Sequence, residues 1–219
     1  MDLKEYGMRN ICNQLAGVLD ALNIPKVTIL GHDWGGALAW RFGLYYPNRL
    51  HGIISVCTPY IPPKTTFRNL EEIVQAEPKF EYQLKYANPA STAGMDATVD
   101  EIYLTIQTKF GSMDDEDRKY VISEYKHSGF RGPLNYYKTT CVNFEDEIGL
   151  HKCIDLPCWI ILAYDDPFLP IRLVYEMADY LPKLKMATIW ARHFVISEKP
   201  NETNVLLKQC LDDLLLRRN

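Results

Sequence analysis

Residues 27–41 read VTILGHDWGGALAWR, and this stretch decides the fold. It begins with a short run of β-branched and aliphatic residues, which predicts a buried strand. It ends in an apolar pattern of helical spacing, and Gly-x-Asp-x-Gly-Gly stands between the two. A strand–turn–helix segment of this kind presents a nucleophile on a strained turn, where glycines tolerate unusual dihedral angles and close approach. The residue at the apex is Asp33, where serine is the usual nucleophile.

An aspartate at the apex restricts the chemistry of the turn. A carboxylate that attacks a carbonyl gives an unstable anhydride, whereas attack on a saturated electrophilic carbon gives an ester that water can cleave. Epoxides and haloalkanes carry such carbons. The N-terminus of the following helix favours the ionised carboxylate. The alternative is that Asp33 only caps a glycine-rich strand-to-helix turn, as doubly wound folds often have.

The composition predicts one domain with a core and an insertion, since the chain has 219 residues and 47% of them are hydrophobic. A net charge of −4 without a basic cluster argues against a nucleic-acid partner. No apolar run is long enough to span a bilayer and the N-terminus is no signal peptide, so we expect a cytoplasmic protein. The six cysteines lack a CxxC pair and predict free thiols, with a disulfide or a zinc site as alternatives.

The order of the predicted elements is that of an α/β fold with a mostly parallel sheet. The predicted core elements are helices over 4–23, 34–46, 171–181 and 201–217 and strands over 27–31, 50–56, 158–163 and 185–190. The stretch from about 69 to 144 is helical in pattern and rich in aromatic residues. We therefore expect a core of residues 1–60 and 149–219 and a helical cap (lid) over 61–148.

Three groups of polar residues follow predicted strands, and the ends of parallel strands meet at one edge of a sheet. They are Asp33, the pair Asp165 and Asp166, and His193. The chain order nucleophile, acid, histidine is the one this architecture uses. An imidazole can take a proton from water while a buried carboxylate orients the ring. Taken singly, the aspartate pair could be a turn and His193 an ordinary loop histidine.

Four segments resemble the soluble epoxide hydrolases of the α/β-hydrolase superfamily. They are GHDWGG at 31–36, CTPYIP at 57–62, FEYQL at 80–84 and RGPLNYYK at 131–138. The likeness extends from residue 1 to the C-terminus. The first segment is shared with haloalkane dehalogenases, so the two cap segments with tyrosines are the more specific ones.

The resemblance implies an enzyme that opens a small lipophilic epoxide to a diol without a metal or cofactor. It implies that Asp33 attacks an epoxide carbon and forms an alkyl ester. His193, held by Asp166, would then activate the water that hydrolyses the ester. Tyr82 and Tyr137 would donate hydrogen bonds to the epoxide oxygen from the cap.

The resemblance also implies a group of residues that bind substrate or the oxyanion. The backbone N–H of Trp34 would serve as an oxyanion donor, and the side chains of His32, Gln83 and Phe194 would line the site. From the residues alone, Asp165 and Asp166 cannot be separated. In the same way, either Tyr136 or Tyr137 could be the second phenol.

Members of this family begin with several strands that this chain lacks, and they carry a His-Gly-x-Pro motif that is absent here. The strand at 27–31 would then be an open edge of the sheet without a charge or proline, so we expect the chain to be unstable or to form a homodimer through this strand. Arg192 also stands where the family usually has glycine. The alternative functions are a catalytically impaired, truncated α/β-hydrolase remnant that binds a ligand or partner, and a haloalkane dehalogenase-like enzyme.

Overall fold

The computed structural model describes residues 2–110 and 113–216. Its centre is a sheet of four strands in the order β1-β2-β3-β4, and every neighbouring pair is parallel. The strands are β1 (Val27–His32), β2 (Leu50–Val56), β3 (Cys158–Ala163) and β4 (Leu184–Ile189). The predicted α/β architecture with a parallel sheet is confirmed, and each strand lies within a residue of its predicted bounds.

Helices cover both faces of this sheet. Helices α1 (Met8–Ala21) and α2 (Trp34–Tyr45) pack on one face, where Trp40 and Phe42 are fully buried against β2 and β3. The last helices, α10 (Val195–Glu198) and α11 (Pro200–Leu216), pack on the other. Because β2 and β3 are buried on both faces, their sequences are nearly continuous apolar runs.

All helices between β2 and β3 lie in one long insertion. They are α3 (Leu70–Ala76), α4 (Glu81–Ala87), α5 (Ala90–Ala97), α6 (Val99–Phe110), α7 (Asp115–Ser128), α8 (Arg131–Asn135) and α9 (Thr140–Glu147). The insertion has a small apolar cluster of its own around Val99, Ile122, Phe130 and Leu134. The helical character predicted for this part of the chain agrees with the structure, and its treatment as a cap with bounds 61–148 stays a prediction.

The helix predicted over 171–181 is wrong. The chain forms a 3-10 turn at Ile171–Val174 and then further hydrogen-bonded turns. The buried side chains of Val174 and Met177 are three residues apart, and the N–H of Met177 donates to the carbonyl of Val174 over 3.0 Å. A three-residue repeat suits the tighter 3-10 geometry, which sequence periodicity does not separate from a short α-helix.

The predicted helix over 4–23 is two elements, a 3-10 turn at Leu3–Tyr6 and then α1. Gly7 separates them in an extended conformation, and a β-carbon there would lie 2.9 Å from the side chain of Val142. The last helix follows its prediction as far as Leu216, and Arg217 lies outside the described residues.

Strand β1 is an edge of the sheet. Within the described residues it pairs only with β2, and the side chain of Leu30 is 43% exposed. This is the open edge that the sequence predicts. Of the helices in the described part of the chain, none combines the length and the apolar character that a membrane span requires.

Candidate active site

Asp33 occupies the sharp turn between β1 and α2. Its φ of 54° and ψ of −124° are unusual for a residue with a side chain, and such strain persists only where the surroundings fix it. Two glycines allow the turn. A β-carbon on Gly31 would lie 2.0 Å from the carbonyl oxygen of Gly35, and one on Gly36 would lie 2.7 Å from the hydroxyl of Ser55. The strained elbow predicted from Gly-x-Asp-x-Gly-Gly is thus present.

Thr58, just after β2, fixes the backbone of this elbow. Its hydroxyl donates to the carbonyl oxygen of Asp33 over 2.7 Å. Its own carbonyl accepts from the hydroxyl of Ser55 and the indole N–H of Trp40, at 2.7 and 2.9 Å. The sequence analysis missed this role, although the position of Thr58 directly beyond a strand end was a usable signal.

The imidazole of His193 bridges two carboxylates. Its Nε2 lies 3.0 Å from Oδ2 of Asp33, and its Nδ1 lies 2.8 Å from Oδ2 of Asp166. The other oxygen of Asp166 accepts the backbone N–H groups of Phe168 and Leu169, at 2.8 and 3.0 Å. Because His193 follows β4 and Asp166 follows β3, the parallel sheet brings them together with the elbow at one edge.

Asp166 and its neighbour Asp165 have different environments. The side chain of Asp166 is 2% exposed and contacts the imidazole, whereas Asp165 is exposed. The structure therefore places Asp166 in the constellation and leaves Asp165 on the surface. An Asx turn in the sequence Asp-Pro-Phe-Leu accounts for the bonds that hold the buried carboxylate.

Burial and charge act in opposite directions on the two central groups. Burial disfavours the imidazolium, yet hydrogen bonds and charge from Asp166 and Asp33 raise the pKa of His193 to about 9. Burial also disfavours the Asp33 carboxylate, but His193 and the backbone N–H of Trp34 together lower the pKa of this group. These effects favour an imidazolium on His193 and a carboxylate on Asp33 in the free site.

His32 supports the backbone of His193. Its Nε2 lies 2.8 Å from the carbonyl oxygen of His193, and since a carbonyl only accepts, this nitrogen carries the hydrogen. Burial and the nearby charge of His193 lower the pKa of His32, which favours the neutral ring. The rings of Phe194 and Phe168 lie 5.2 and 5.1 Å from the His193 ring. Phe168 is a contact that the sequence analysis missed.

Two tyrosines of the insertion, Tyr82 on α4 and Tyr137 after α8, face each other above the elbow. Their ring centroids are 6.2 Å apart, and the Tyr137 ring lies 5.2 Å from that of Trp34. Burial, with a contribution from the charge of Asp33, raises the pKa of both phenols, that of Tyr82 to about 12. Both groups therefore stay protonated near neutral pH and can donate a hydrogen bond.

Neighbouring side chains distinguish the tyrosines further. The amide of Gln83 donates to the oxygen of Tyr82 over 3.4 Å, which leaves the Tyr82 hydrogen for another acceptor. Tyr136 packs between Tyr6 and Trp34, at 5.8 and 5.7 Å. Burial and Tyr6 raise the pKa of Tyr136.

Arg192, at the position of the usual glycine, pairs with Glu198, 3.3 Å away.

A cavity of about 600 Å3 opens above the elbow, between α2, the segment after β2 and helices α3 and α9. Asp33, Trp34, Tyr82 and Gln83 line it. Most of its surface is apolar, and six further charged residues contribute to it, namely Arg41, Lys64, Arg68, Glu77, Glu147 and Glu176. Asp166, His193 and Tyr137 are not part of this lining. A cavity with a largely apolar surface and some polar groups is typical of a small-molecule site.

One group of side chains brings three metal-ligating atoms within 4.8 Å of one another, namely His32, Cys57 and His193. Both ring nitrogens of His193 already contact carboxylates, and Nε2 of His32 donates to a carbonyl. A metal ion would have to displace these bonds. The expectation of a site without metal or cofactor stays a prediction.

The sequence pattern of the α/β-hydrolase fold matches residues 1–200, and the chain belongs to this family. Within the family it is an epoxide-hydrolase-like hydrolase. It is 30% identical over 251 residues to epoxide hydrolase srdG of Neurospora crassa, a match that covers 96% of this chain and 73% of that protein. It is 28% identical over 241 residues to bifunctional epoxide hydrolase 2 of Sus scrofa, covering 96% of this chain but only 43% of the pig protein.

Solved structures agree on the fold. Epoxide hydrolase A from Mycobacterium thermoresistibile superposes with a TM-score of 0.84 at 22% identity, covering 96% of this chain and 77% of that one. Potato epoxide hydrolase I gives a TM-score of 0.84 at 17% identity, covering 97% and 78%. At these identities the likeness shows the fold alone.

Proposed function

We propose that this protein hydrolyses a small lipophilic epoxide to a diol through an alkyl ester on Asp33. The observation that carries the proposal is the imidazole of His193, which bridges Asp33 and Asp166 at 3.0 and 2.8 Å beside a cavity that Asp33 and the phenol of Tyr82 line. The names of the relatives support an epoxide as substrate. The apolar lining of the cavity supports a lipophilic one.

In the first half-reaction, one carboxylate oxygen of Asp33 attacks an epoxide carbon and the carbon–oxygen bond of the ring breaks. The epoxide oxygen takes the phenolic proton of Tyr82 or Tyr137, leaving a phenolate. Donors placed where charge develops stabilise the transition state, and neither phenol ionises near neutral pH without such an acceptor. The contact of Tyr137 with Tyr82, and the charge of Asp33 on both, support Tyr137 over Tyr136 as the second donor.

In the second half-reaction, water attacks the ester carbon of Asp33 and gives its proton to His193. The oxygen that becomes negative belongs to Asp33, and the backbone N–H of Trp34, which lowers the pKa of this group, favours negative charge there. When the ester carbon–oxygen bond breaks, the diol oxygen takes the proton from His193. The carboxylic acid then returns a proton to the phenolate, so that one water is consumed and one diol is released.

Alkylation itself prepares His193 to act as a base. In the free site, two carboxylates raise the pKa of His193 to about 9. The ester on Asp33 is neutral, so the negative charge of Asp33 no longer raises the pKa of His193 once the ester has formed. The imidazole then releases its proton at a lower pH, while Asp166 still orients the ring.

An adduct experiment tests this proposal. A chromogenic epoxide is incubated with the wild type, with His193→Gln and with Asp33→Ala, and the tryptic peptide that contains residue 33 is weighed by mass spectrometry. We expect an adduct on Asp33 that accumulates in His193→Gln, because alkylation continues while hydrolysis is blocked. Asp33→Ala should show none. If the wild type formed no diol and neither the wild type nor His193→Gln carried an adduct, the proposal would be contradicted. That result would favour a ligand-binding remnant.

We also propose that β1 is a self-association surface, because its edge and the side chain of Leu30 are open within the described residues. Light scattering should then show a dimer that Leu30→Lys dissociates. A monomer at every concentration would contradict this.

A cytoplasmic location and the lack of a nucleic-acid partner stay predictions. A haloalkane dehalogenase is the less favoured function, because the relatives cited above are named epoxide hydrolases.

A further inference from the structure

Cys57 lies beside the constellation, and the mechanism above does not use it. It follows β2 directly, is 3% exposed and has a φ of 66°. A residue with a side chain rarely adopts this conformation, and the conformation persists only where the surroundings fix it. Its backbone N–H donates to the carbonyl of Ile161 over 2.8 Å, so the turn is anchored to β3.

The thiol of Cys57 contacts the backbone of the residue that carries the base. Its Sγ lies 3.5 Å from the carbonyl oxygen of His193, to which the thiol donates, and the charge of Asp166 also acts on it. The same carbonyl of His193 accepts the ring N–H of His32. A carbonyl oxygen has two lone pairs and can accept both donors.

The surroundings of Cys57 make it a donor and not a nucleophile. Burial, followed by the charge of Asp166, raises the pKa of the thiol well above its usual value. Reactive cysteines have the opposite properties, a lowered pKa and partial exposure. The thiol therefore stays protonated and can donate a hydrogen bond.

We propose that Cys57 is a positioning residue for the hydrolysis step, which holds the backbone of His193 together with His32. This inference rests on the proposed function. When Asp33 becomes an ester, the ion pair between Asp33 and His193 is lost. The loop that carries the imidazole then depends on its remaining bonds, and the thiol supplies one of them.

Single-turnover kinetics with a chromogenic epoxide separate the two half-reactions. We expect Cys57→Ala to hydrolyse the ester about fivefold more slowly, the value of one neutral hydrogen bond, with alkylation unchanged. Cys57→Ser keeps a donor and should restore the hydrolysis rate. The matched control is Cys158→Ala, because Cys158 is also buried and its thiol donates to a carbonyl, that of Leu156, over 3.1 Å.

Hydrolysis at the wild-type rate in Cys57→Ala, or equal slowing in the serine and alanine variants, would overturn the proposal. If even the wild type formed no ester, the proposed function would fail. NMR would still test the positioning role of Cys57 in that case. The Nδ1–H resonance of His193 should exchange with solvent faster in Cys57→Ala than in the wild type, Cys57→Ser and Cys158→Ala. Equal exchange in all four proteins would overturn the positioning role.

Discussion

The floor and the roof of the candidate active site are built in different ways. The floor, defined here as Asp33, Asp166 and His193, is held by hydrogen bonds of 2.8–3.0 Å and by a strained backbone at the elbow. The roof, Tyr82 and Tyr137, is held mainly by ring contacts at 5.1–6.2 Å. In the proposed mechanism, directional bonds fix the nucleophile and the base, and nonpolar packing places the phenols that give a proton to the epoxide oxygen.

The floor should be the part most sensitive to substitution. We expect Asp166→Ala to lower turnover by about 10⁴-fold, because the imidazole loses the carboxylate that sets its tautomer and orientation. Asp165→Ala is the matched control, since it removes an exposed carboxylate one residue away, and turnover should stay within about twofold. Steady-state rates with a chromogenic epoxide measure both. Equal losses in the two variants would show that Asp166 has no special role.

Arg41 joins helix α2, which follows the elbow, to helix α9 of the insertion. On α2, its guanidinium bonds both carboxylate oxygens of Glu147 on α9, at 2.5 and 3.1 Å, and the carbonyl of Ile61 at 2.8 Å. The Glu147 side chain is 9% exposed, so Arg41→Met would leave a buried charge without a partner. We expect a loss of about 3–5 kcal/mol in the free energy of unfolding, measured with urea.

The double variant Arg41→Met with Glu147→Leu sharpens this prediction. It removes both charges, so most of the lost stability should return. If the single variant were as stable as the wild type, the ion pair would contribute nothing to joining the two regions.

The roof should show a smaller, step-specific effect. We expect Tyr137→Phe and Tyr82→Phe each to slow alkylation by about 10²–10³-fold, the loss found for one oxyanion donor in other enzymes. Tyr136→Phe removes a hydroxyl that packs near Tyr6 and should change alkylation by about twofold at most. Stopped-flow measurement of the first turnover distinguishes them. A slow Tyr136→Phe with a normal Tyr137→Phe would reverse the assignment.

The smallest change lies in the titration of His193. Its pKa is raised to about 9 by Asp166 and Asp33 against the effect of burial, so removing one carboxylate must lower it. NMR titration of Asp33→Ala should therefore give a lower pKa for His193 than the wild type. The rate of ester hydrolysis should rise with pH and level off below pH 9. An unchanged pKa in Asp33→Ala would contradict the role given to the ester.

The floor could be predicted from the sequence because local rules set each part. Gly-x-Asp-x-Gly-Gly between a strand and a helix encodes the elbow, and parallel strands carry their ends to one edge. The residues alone could not separate Asp165 from Asp166, and only the resemblance to a family pointed to Asp166, because the choice depends on which carboxylate the turn buries. Cys57 and Thr58 were missed for a related reason, since their contacts arise only when two turns are placed side by side.

The roof had no such local rule. Nothing in the spacing separates Tyr82 and Tyr137 from the rest of the 14 tyrosines, and only the resemblance to a family pointed to them. The turns over 171–181 show the same limit, because short apolar spacing fits a 3-10 turn as well as an α-helix. Side chains placed by packing are decided by the whole fold.

The most direct test of the ester on Asp33 is one turnover in water labelled with ¹⁸O, with enzyme in excess of epoxide. If Asp33 attacks the epoxide and water then attacks the ester carbon, the diol carries unlabelled oxygen from Asp33. The label then enters the carboxylate, where mass spectrometry of the peptide detects it. A labelled diol with an unlabelled Asp33 would mean that water opens the ring directly, and it would contradict the mechanism.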